Sequence, residues 1–136
     1  MAKRVLVYTN HYYPEQFKVN DVVDWLKEAK YEIRVVTGMP NYPEGKVYPG
    51  YRLFSRKLFE NKDSVKINRL PLISRGSGSR FRIFLNYISY FISSSIFTLY
   101  LIIFVKKYEF ILVHHTSPFF IAIHPIFYKF FKSSKN

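Results

Sequence analysis

Ile83 to Val105 (IFLNYISYFISSSIFTLYLIIFV) runs for 23 residues without one Lys, Arg, Asp or Glu, in a chain that is 22% charged. As a helix this stretch is about 35 Å long at 1.5 Å per residue, enough to cross a hydrocarbon core of roughly 30 Å. Three structures satisfy it: a bilayer span, a helix lying in a membrane surface, or a long buried helix packed on a sheet. Arg75, Arg80 and Arg82 precede it and Lys106 and Lys107 close it, so both ends are cationic and flanking charge gives no orientation. Asn86, Ser89, Ser93 and Tyr100 fall on one narrow helical face, which suits close helix packing in lipid or in a soluble fold. Seven aromatics are spread along the stretch instead of forming two end belts, which speaks against a span.

At 136 residues the chain makes one domain, 1–136, large enough for a core. With 49% hydrophobic residues it is expected to fold. Cysteine is absent, which excludes disulfides, zinc–thiolate sites and thiol nucleophiles and fits a reducing compartment. The opening MAKRVLVYTN has too short an apolar run for a signal peptide. Lys plus Arg number 21 against 9 Asp plus Glu, a net charge of +12 that attracts nucleic acid, anionic lipid or phosphorylated ligands. No nucleic-acid reading motif accompanies that charge, and most Phe and Tyr sit inside apolar runs where packing is their default role. Basic residues beside an apolar stretch point instead to an anionic membrane surface, so nucleic acid is not expected as a partner.

Arg4 to Thr9 (RVLVYT) reads as a buried strand. After the loop NHYYPEQFK, Asn20 or Asp21 is placed to cap a helix. Val19, Val22, Val23, Leu26 and Ala29 carry that helix's apolar spacing. Tyr31 to Thr37 (YEIRVVT) is a second strand that Gly38 ends, so the chain opens with a βαβ unit and two parallel strands. Met39 to Tyr51 carries three prolines and two glycines and forms a long loop, the kind that more often serves function. Val65 to Leu70 is a third strand, and Ile73 to Arg82 a basic Gly/Ser linker. Phe110 to His114 is a fourth strand, and Phe119 to Lys132 a last helix broken at Pro125. The fold class is α/β: an open, Rossmann-like parallel sheet with helices on both faces, although four strands are few for it.

Ligands of open parallel sheets bind at the carboxyl ends of the strands. That rule selects Asn10 to Glu15, Gly38 to Gly45, and His114 to Pro118. His11, His114 and His115 stand where a general base or phosphate ligand is wanted, or they are loop histidines with ordinary hydrogen bonds. Glu15 and Glu44 each end a Tyr-Pro-Glu triplet, where a carboxylate either accepts from a substrate hydroxyl or holds a turn. His124 reads as structural. Gly76 and Gly78, among Arg75, Arg80 and serines, form a phosphate loop or a flexible linker; no GxGxxG, Walker pattern or metal-ligand spacing occurs.

The segments YYPEQFKVNDVVDWL, YEIRVVTGMPNYPEGKVYPGY and LPLISRGSGSRFRIFLNYISYFISSS resemble the N-terminal domain of glycosyltransferase family 4, in the branch that builds bacterial surface polysaccharides. The resemblance runs from Arg4 to about Tyr128, and TGMPNYPEG with its spacing to the first YPE is its most specific part. It implies the N-terminal half of a GT-B fold, in which two Rossmann-like domains face each other across a cleft. It implies retaining transfer of a sugar from a nucleotide-sugar to a glycan acceptor, often lipid-linked, with no metal or other cofactor. It also implies that Asn10, His11, Tyr13, Glu15, Asn41, Tyr42, Glu44, Gly45, His114, His115 and Thr116 border the acceptor cleft. Arg75, Arg80, Arg82, Lys106 and Lys107 would then meet an anionic membrane surface, the cytoplasmic face of the bacterial inner membrane.

Two departures accompany the resemblance. Many family members carry a Gly-Gly loop after the first strand, where this chain has HYYPEQFK. The sequence also stops before the family's Asp-Leu-Trp-Pro-Glu strand and the nucleotide-binding domain with its paired glutamates. The expectation is therefore an acceptor-binding half, truncated or completed by a separately encoded C-terminal domain and inactive alone. The alternative is a small non-catalytic membrane protein or an inactive remnant.

Overall fold

Arg4–Thr9 and Glu32–Gly38 are strands rich in β-branched residues and buried or half-buried along their whole length, which is the signature of central strands in a parallel sheet between helical layers. The computed structural model describes residues 1–53, 55–114 and 123–133. In chain order the elements are β1 (Arg4–Thr9), α1 (Lys18–Glu28), β2 (Glu32–Gly38), β3 (Phe59–Lys62), β4 (Val65–Leu70), α2 (Arg80–Phe104), β5 (Phe110–His114) and α3 (Ile123–Ser133). The sheet order is β3-β4-β2-β1-β5. β1 lies between β2 and β5, β2 between β1 and β4, and all of these pairs are parallel. The chain is thus α/β, with a mostly parallel five-stranded sheet and helices on both faces.

Alternation along the strands sorts the core into two layers. Val5, Val7, Ile33, Val35, Val65 and Ile67 face α1, where Val19 and Val23 are fully buried. Leu6, Tyr8, Val36 and Leu70 face Leu101 and Ile102 of α2 and Tyr128 of α3.

The fifth strand corrects the count of four. β3 pairs antiparallel with β4, joined by Asp63 and Ser64 at φ 49° and 68°. Two consecutive left-handed residues make the two-residue turn that matches strand twist. FENK is polar and half exposed, so it carries none of the apolar signal of a central strand. One helix reading also changes. Phe17, not Asn20 or Asp21, occupies the cap of α1, and the Asn20 amide instead donates to the Glu15 carbonyl at 2.8 Å. Pro125 lies within α3, and Phe119 to Ala122, the start of the expected last helix, lie outside the described residues.

α2 is laid on the sheet with its polar side inward. Asn86, Tyr90, Ser94 and Thr98, each four residues apart, form its buried stripe. The Tyr90 hydroxyl donates to the carbonyls of Thr9 and Val36, 3.0 Å from each, and so bridges β1 and β2. Thr98 Oγ1 lies 2.6 Å from the Tyr8 hydroxyl. Ser94 and Thr98 return their hydroxyls to carbonyls one turn back. Their small side chains allow the close approach that the tyrosine hydroxyls need. On the flank, Asn86 donates to the Ile73 carbonyl, Ser89 accepts from the Ile73 amide, and Ser93 donates to the Pro71 carbonyl. Tyr100, expected on the same packed face, is exposed. The apolar residues Phe84, Ile92, Ile96, Leu99, Ile103 and Phe104 point outward, with Ile96 65% and Phe104 73% exposed. Helix α2 is long and apolar enough to cross a membrane. A span would place β4 and β5 on opposite sides of it, whereas here they share one sheet.

Burial pushes the Tyr90 hydroxyl well above its ordinary value of 10.0. Its ionisation is easier in the unfolded chain, so the stability it contributes is whole below about pH 10 and falls as pH rises further. Tyr90→Phe should cost about 1–3 kcal/mol at neutral pH through the lost hydrogen bonds. Urea unfolding should also show the variant losing less stability than wild type between about pH 9 and 11. Equal stability at pH 7, or equal alkaline loss, would contradict this role.

Candidate functional site

β1, β2, β4 and β5 all point their carboxyl ends at one edge of the sheet, where the residues after each strand gather. The pivot is Glu15, 2% exposed. Its Oε1 accepts from the backbone N–H groups of Asn41 and Tyr42, at 2.8 and 2.7 Å. Its Oε2 lies 3.0 Å from Nδ1 of His11. One buried carboxylate therefore ties the loop after β1 to the loop after β2. Of the two roles open for Glu15, holding a turn is the one the geometry provides.

His11 is 1% exposed and stacked on Phe17 at 4.7 Å between centroids. Nη2 of Arg75 lies 3.2 Å from His11 Nε2. A guanidinium only donates, so Nε2 is the accepting nitrogen and the Nδ1 proton goes to Glu15. Both ring nitrogens are thus occupied, and His11 reaches a ligand only through Arg75.

Arg75, expected at the membrane surface, is half-buried and packed among side chains of the site. Nη2 also donates to the Tyr87 hydroxyl at 2.9 Å, and the guanidinium lies 5.5 and 5.3 Å from the rings of Tyr42 and Tyr87. Its backbone N–H donates to Asn41 Oδ1 at 3.2 Å. A Gly/Ser-rich segment packs this side chain because His11, Tyr42 and Tyr87 together build a slot for it. Gly45 and Gly76 close the slot: the Gly76 amide donates to the Gly45 carbonyl at 2.8 Å. A Cβ on Gly45 would sit 2.0 Å from the Gly76 oxygen, and at φ 75° only glycine is comfortable there. Arg82 is partly covered against Gly76, while Arg80, Lys106 and Lys107 are exposed at the two ends of α2.

The remaining expected residues divide. Tyr42 stands 41% exposed at the mouth, and Glu44 is exposed beside it. Asn10 is 1% exposed, and neither its amide nitrogen nor its amide oxygen has a partner among the described residues. His114 Nδ1 lies 3.3 Å from Thr9 Oγ1, half-buried at the end of β5. Tyr13 turns away: its ring lies under Lys62 Nζ at 3.3 Å, in a cleft of about 320 Å³ between α1 and the β3–β4 hairpin. His115 and Thr116 lie outside the described residues. Among the described residues no group of three His, Asp or Glu is placed to hold a metal ion.

Tyr87 was missed as a site residue, and Arg75 was named for the membrane surface and beside the Gly76–Gly78 phosphate loop but not for the carboxyl edge of the sheet. The carboxyl-end rule, applied to Val65–Leu70 as it was to the other strands, leads directly to the Ile73–Arg75 segment. Tyr87 carries no such signal, since it sits within an uncharged run. No family model, no curated protein and no solved structure matches the chain.

Glu15→Gln replaces charge-assisted bonds to three donors with an amide that must turn an N–H toward one of them. The expected cost is about 1.5–3 kcal/mol in urea unfolding. Amide hydrogen exchange at Asn41 and Tyr42 should accelerate well beyond that at β1. Unchanged exchange at these two amides would remove Glu15 as the pivot.

Proposed function

We propose that the chain is the acceptor-side domain of a retaining glycosyltransferase of GT-B architecture. In this reading it holds a lipid-linked glycan at an anionic membrane surface while a second domain presents the nucleotide-sugar. Such an enzyme serves exopolysaccharide, O-antigen or capsule synthesis on the cytoplasmic face of the bacterial inner membrane. The observation that carries the reading is the polarity of α2. A polar cluster at the carboxyl edge of the sheet adjoins the start of a helix whose outward face is apolar along its length. A ligand that is sugar at one end and lipid at the other matches that change of character.

Within the cluster, each exposed group has a task suited to a sugar. The exposed Tyr42 ring offers a face for stacking and the exposed Glu44 a carboxylate for hydroxyl groups, while Asn10 is buried. Glu15, His11 and the Gly45–Gly76 contact hold these groups in place. No residue of this chain is assigned to the chemical step. In the GT-B reading that step needs the donor's anomeric carbon, which the second domain brings.

The outward residues Ile126, Phe127, Phe130 and Phe131 of α3 add to the apolar face of α2, and Arg80, Lys106 and Lys107 mark the two ends of α2. Each basic residue near an anionic surface contributes roughly 1 kcal/mol, less with salt.

Sedimentation with anionic vesicles, with and without a polyprenyl-diphosphate sugar, tests both parts. Plain anionic vesicles should bind the chain, and Arg80→Gln, Lys106→Gln and Lys107→Gln together should weaken that binding by about 3 kcal/mol. The lipid-linked sugar should strengthen binding further, and Tyr42→Ala should remove about three- to tenfold of that increment. Binding that is indifferent to the lipid-linked sugar would overturn the acceptor role.

A further inference from the structure

We infer that a phosphate-headed lipid occupies a two-part site, its phosphate on Arg75 and its chain in the apolar groove between Phe59 and Pro71. The inference rests on the acceptor reading above and names the residues that would take the lipid.

The head site follows from what Arg75 lacks. One edge of its guanidinium is occupied by His11 and Tyr87. Nε is buried and has no partner among the described residues. No carboxylate forms an ion pair with Arg75 among the described residues; Glu15, behind His11, is turned to other donors. A half-buried cation held between two tyrosine rings, with an open edge and no counter-charge, is poorly stabilised until an anion meets it. Nη2 spends both of its protons on His11 and Tyr87 and Nε is buried, so Nη1 is the nitrogen left to donate to a phosphate oxygen in a charge-assisted bond. Arg82, lying over Gly76, adds positive charge to the same loop.

The tail site is independent of that charge. A groove of about 360 Å³ is lined by Leu53, Ser55, Arg56, Leu58, Phe59 and Pro71. Leu53 and Phe59 are each more than half exposed there, and Phe59 lies 6.4 Å from the ring of Phe97 on α2. Tyr87 beside Arg75 and Phe97 beside the groove are ten residues apart on α2, about 15 Å at the helical rise. Between them runs the 71–73 segment, pinned to α2 by Asn86, Ser89 and Ser93, with Pro71 and Ile73 exposed. A cationic head site and an apolar groove on one flank, separated by one fixed strip of chain, fit a single-chain anionic amphiphile. Free phosphate would use only the first part, and a neutral lipid only the second.

Calorimetric titration of the whole chain with monomeric dodecyl phosphate tests this, against hexyl phosphate, inorganic phosphate and dodecyl maltoside. Dodecyl phosphate should bind at least about tenfold more tightly than each comparison ligand. Arg75→Gln should weaken it by about 10- to 100-fold and erase its advantage over dodecyl maltoside. Arg75→Lys keeps the charge and should retain part of that advantage. Because Arg75 also braces His11 and Tyr87, the exposed Phe59→Ser gives a second arm. It should abolish most of the gain from hexyl to dodecyl while leaving hexyl phosphate binding within about twofold. Equal affinity for dodecyl phosphate and dodecyl maltoside in wild type, or no gain with chain length, would overturn the site. Either failure leaves the vesicle test of the acceptor role standing on its own. Dodecyl phosphate binding through Arg75, combined with indifference to the lipid-linked sugar, would retain the lipid site and discard the acceptor role.

Discussion

The bond from the Tyr90 hydroxyl to the carbonyls of Thr9 and Val36 fixes how the longest helix meets the sheet. A tyrosine at full burial needs a partner for its hydroxyl, and here the partners are backbone atoms of the two central strands. That requirement turns the Asn86–Tyr90–Ser94–Thr98 stripe inward; of the helix's aliphatic side chains Leu101 and Ile102 are buried, while Ile92, Ile96, Leu99 and Ile103 face outward. In water alone such an arrangement forgoes the burial that ordinarily holds an amphipathic helix, about 25 cal/mol for each Å² of apolar surface left wet. A lipid surface removes that deficit without altering any contact to the sheet.

The same placement builds the site. α2 starts at the carboxyl edge of the sheet, so Tyr87 on its third turn can receive Arg75. Glu15 and His11 complete the support from β1, and the Asn41–Gly45 loop from β2. Three loops from three strands thus converge on one guanidinium. The buried carboxylate and imidazole do not meet solvent; they decide where the arginine stands.

Much of the fold was legible because β1, β2 and β5 each hold a short apolar run between polar breaks, β4 alternates apolar and polar residues at its start, and α2 is uncharged from Ile83 on. β3 was not, since an edge strand buries little and FENK carries no apolar alternation. Of the site, the loops after β1 and β2 were found from their position behind strands. The packing of Arg75 was not legible because nearby arginines before an apolar helix look alike in sequence. Only the three-dimensional neighbours separate the packed Arg75 from the exposed Arg80. Nor does periodicity tell which face of α2 turns inward: both faces carry large residues, and the choice is made by the hydroxyl and amide groups that can reach backbone atoms.

Whether the outward face of α2 lies against lipid can be measured with tryptophan probes and vesicles containing brominated phospholipid. Trp25, the only tryptophan, is 66% exposed on α1, across the sheet from α2, and serves as the internal reference. Ile96→Trp and Ile103→Trp, each in a Trp25→Phe background, place the fluorophore on the outward face. Strong quenching at positions 96 and 103, with Trp25 in the wild-type chain unquenched on the same vesicles, is the predicted result. Quenching of Trp25 to the same degree, or none at 96 and 103 while the chain is bound, would contradict a helix held polar side to the sheet and apolar side to the membrane.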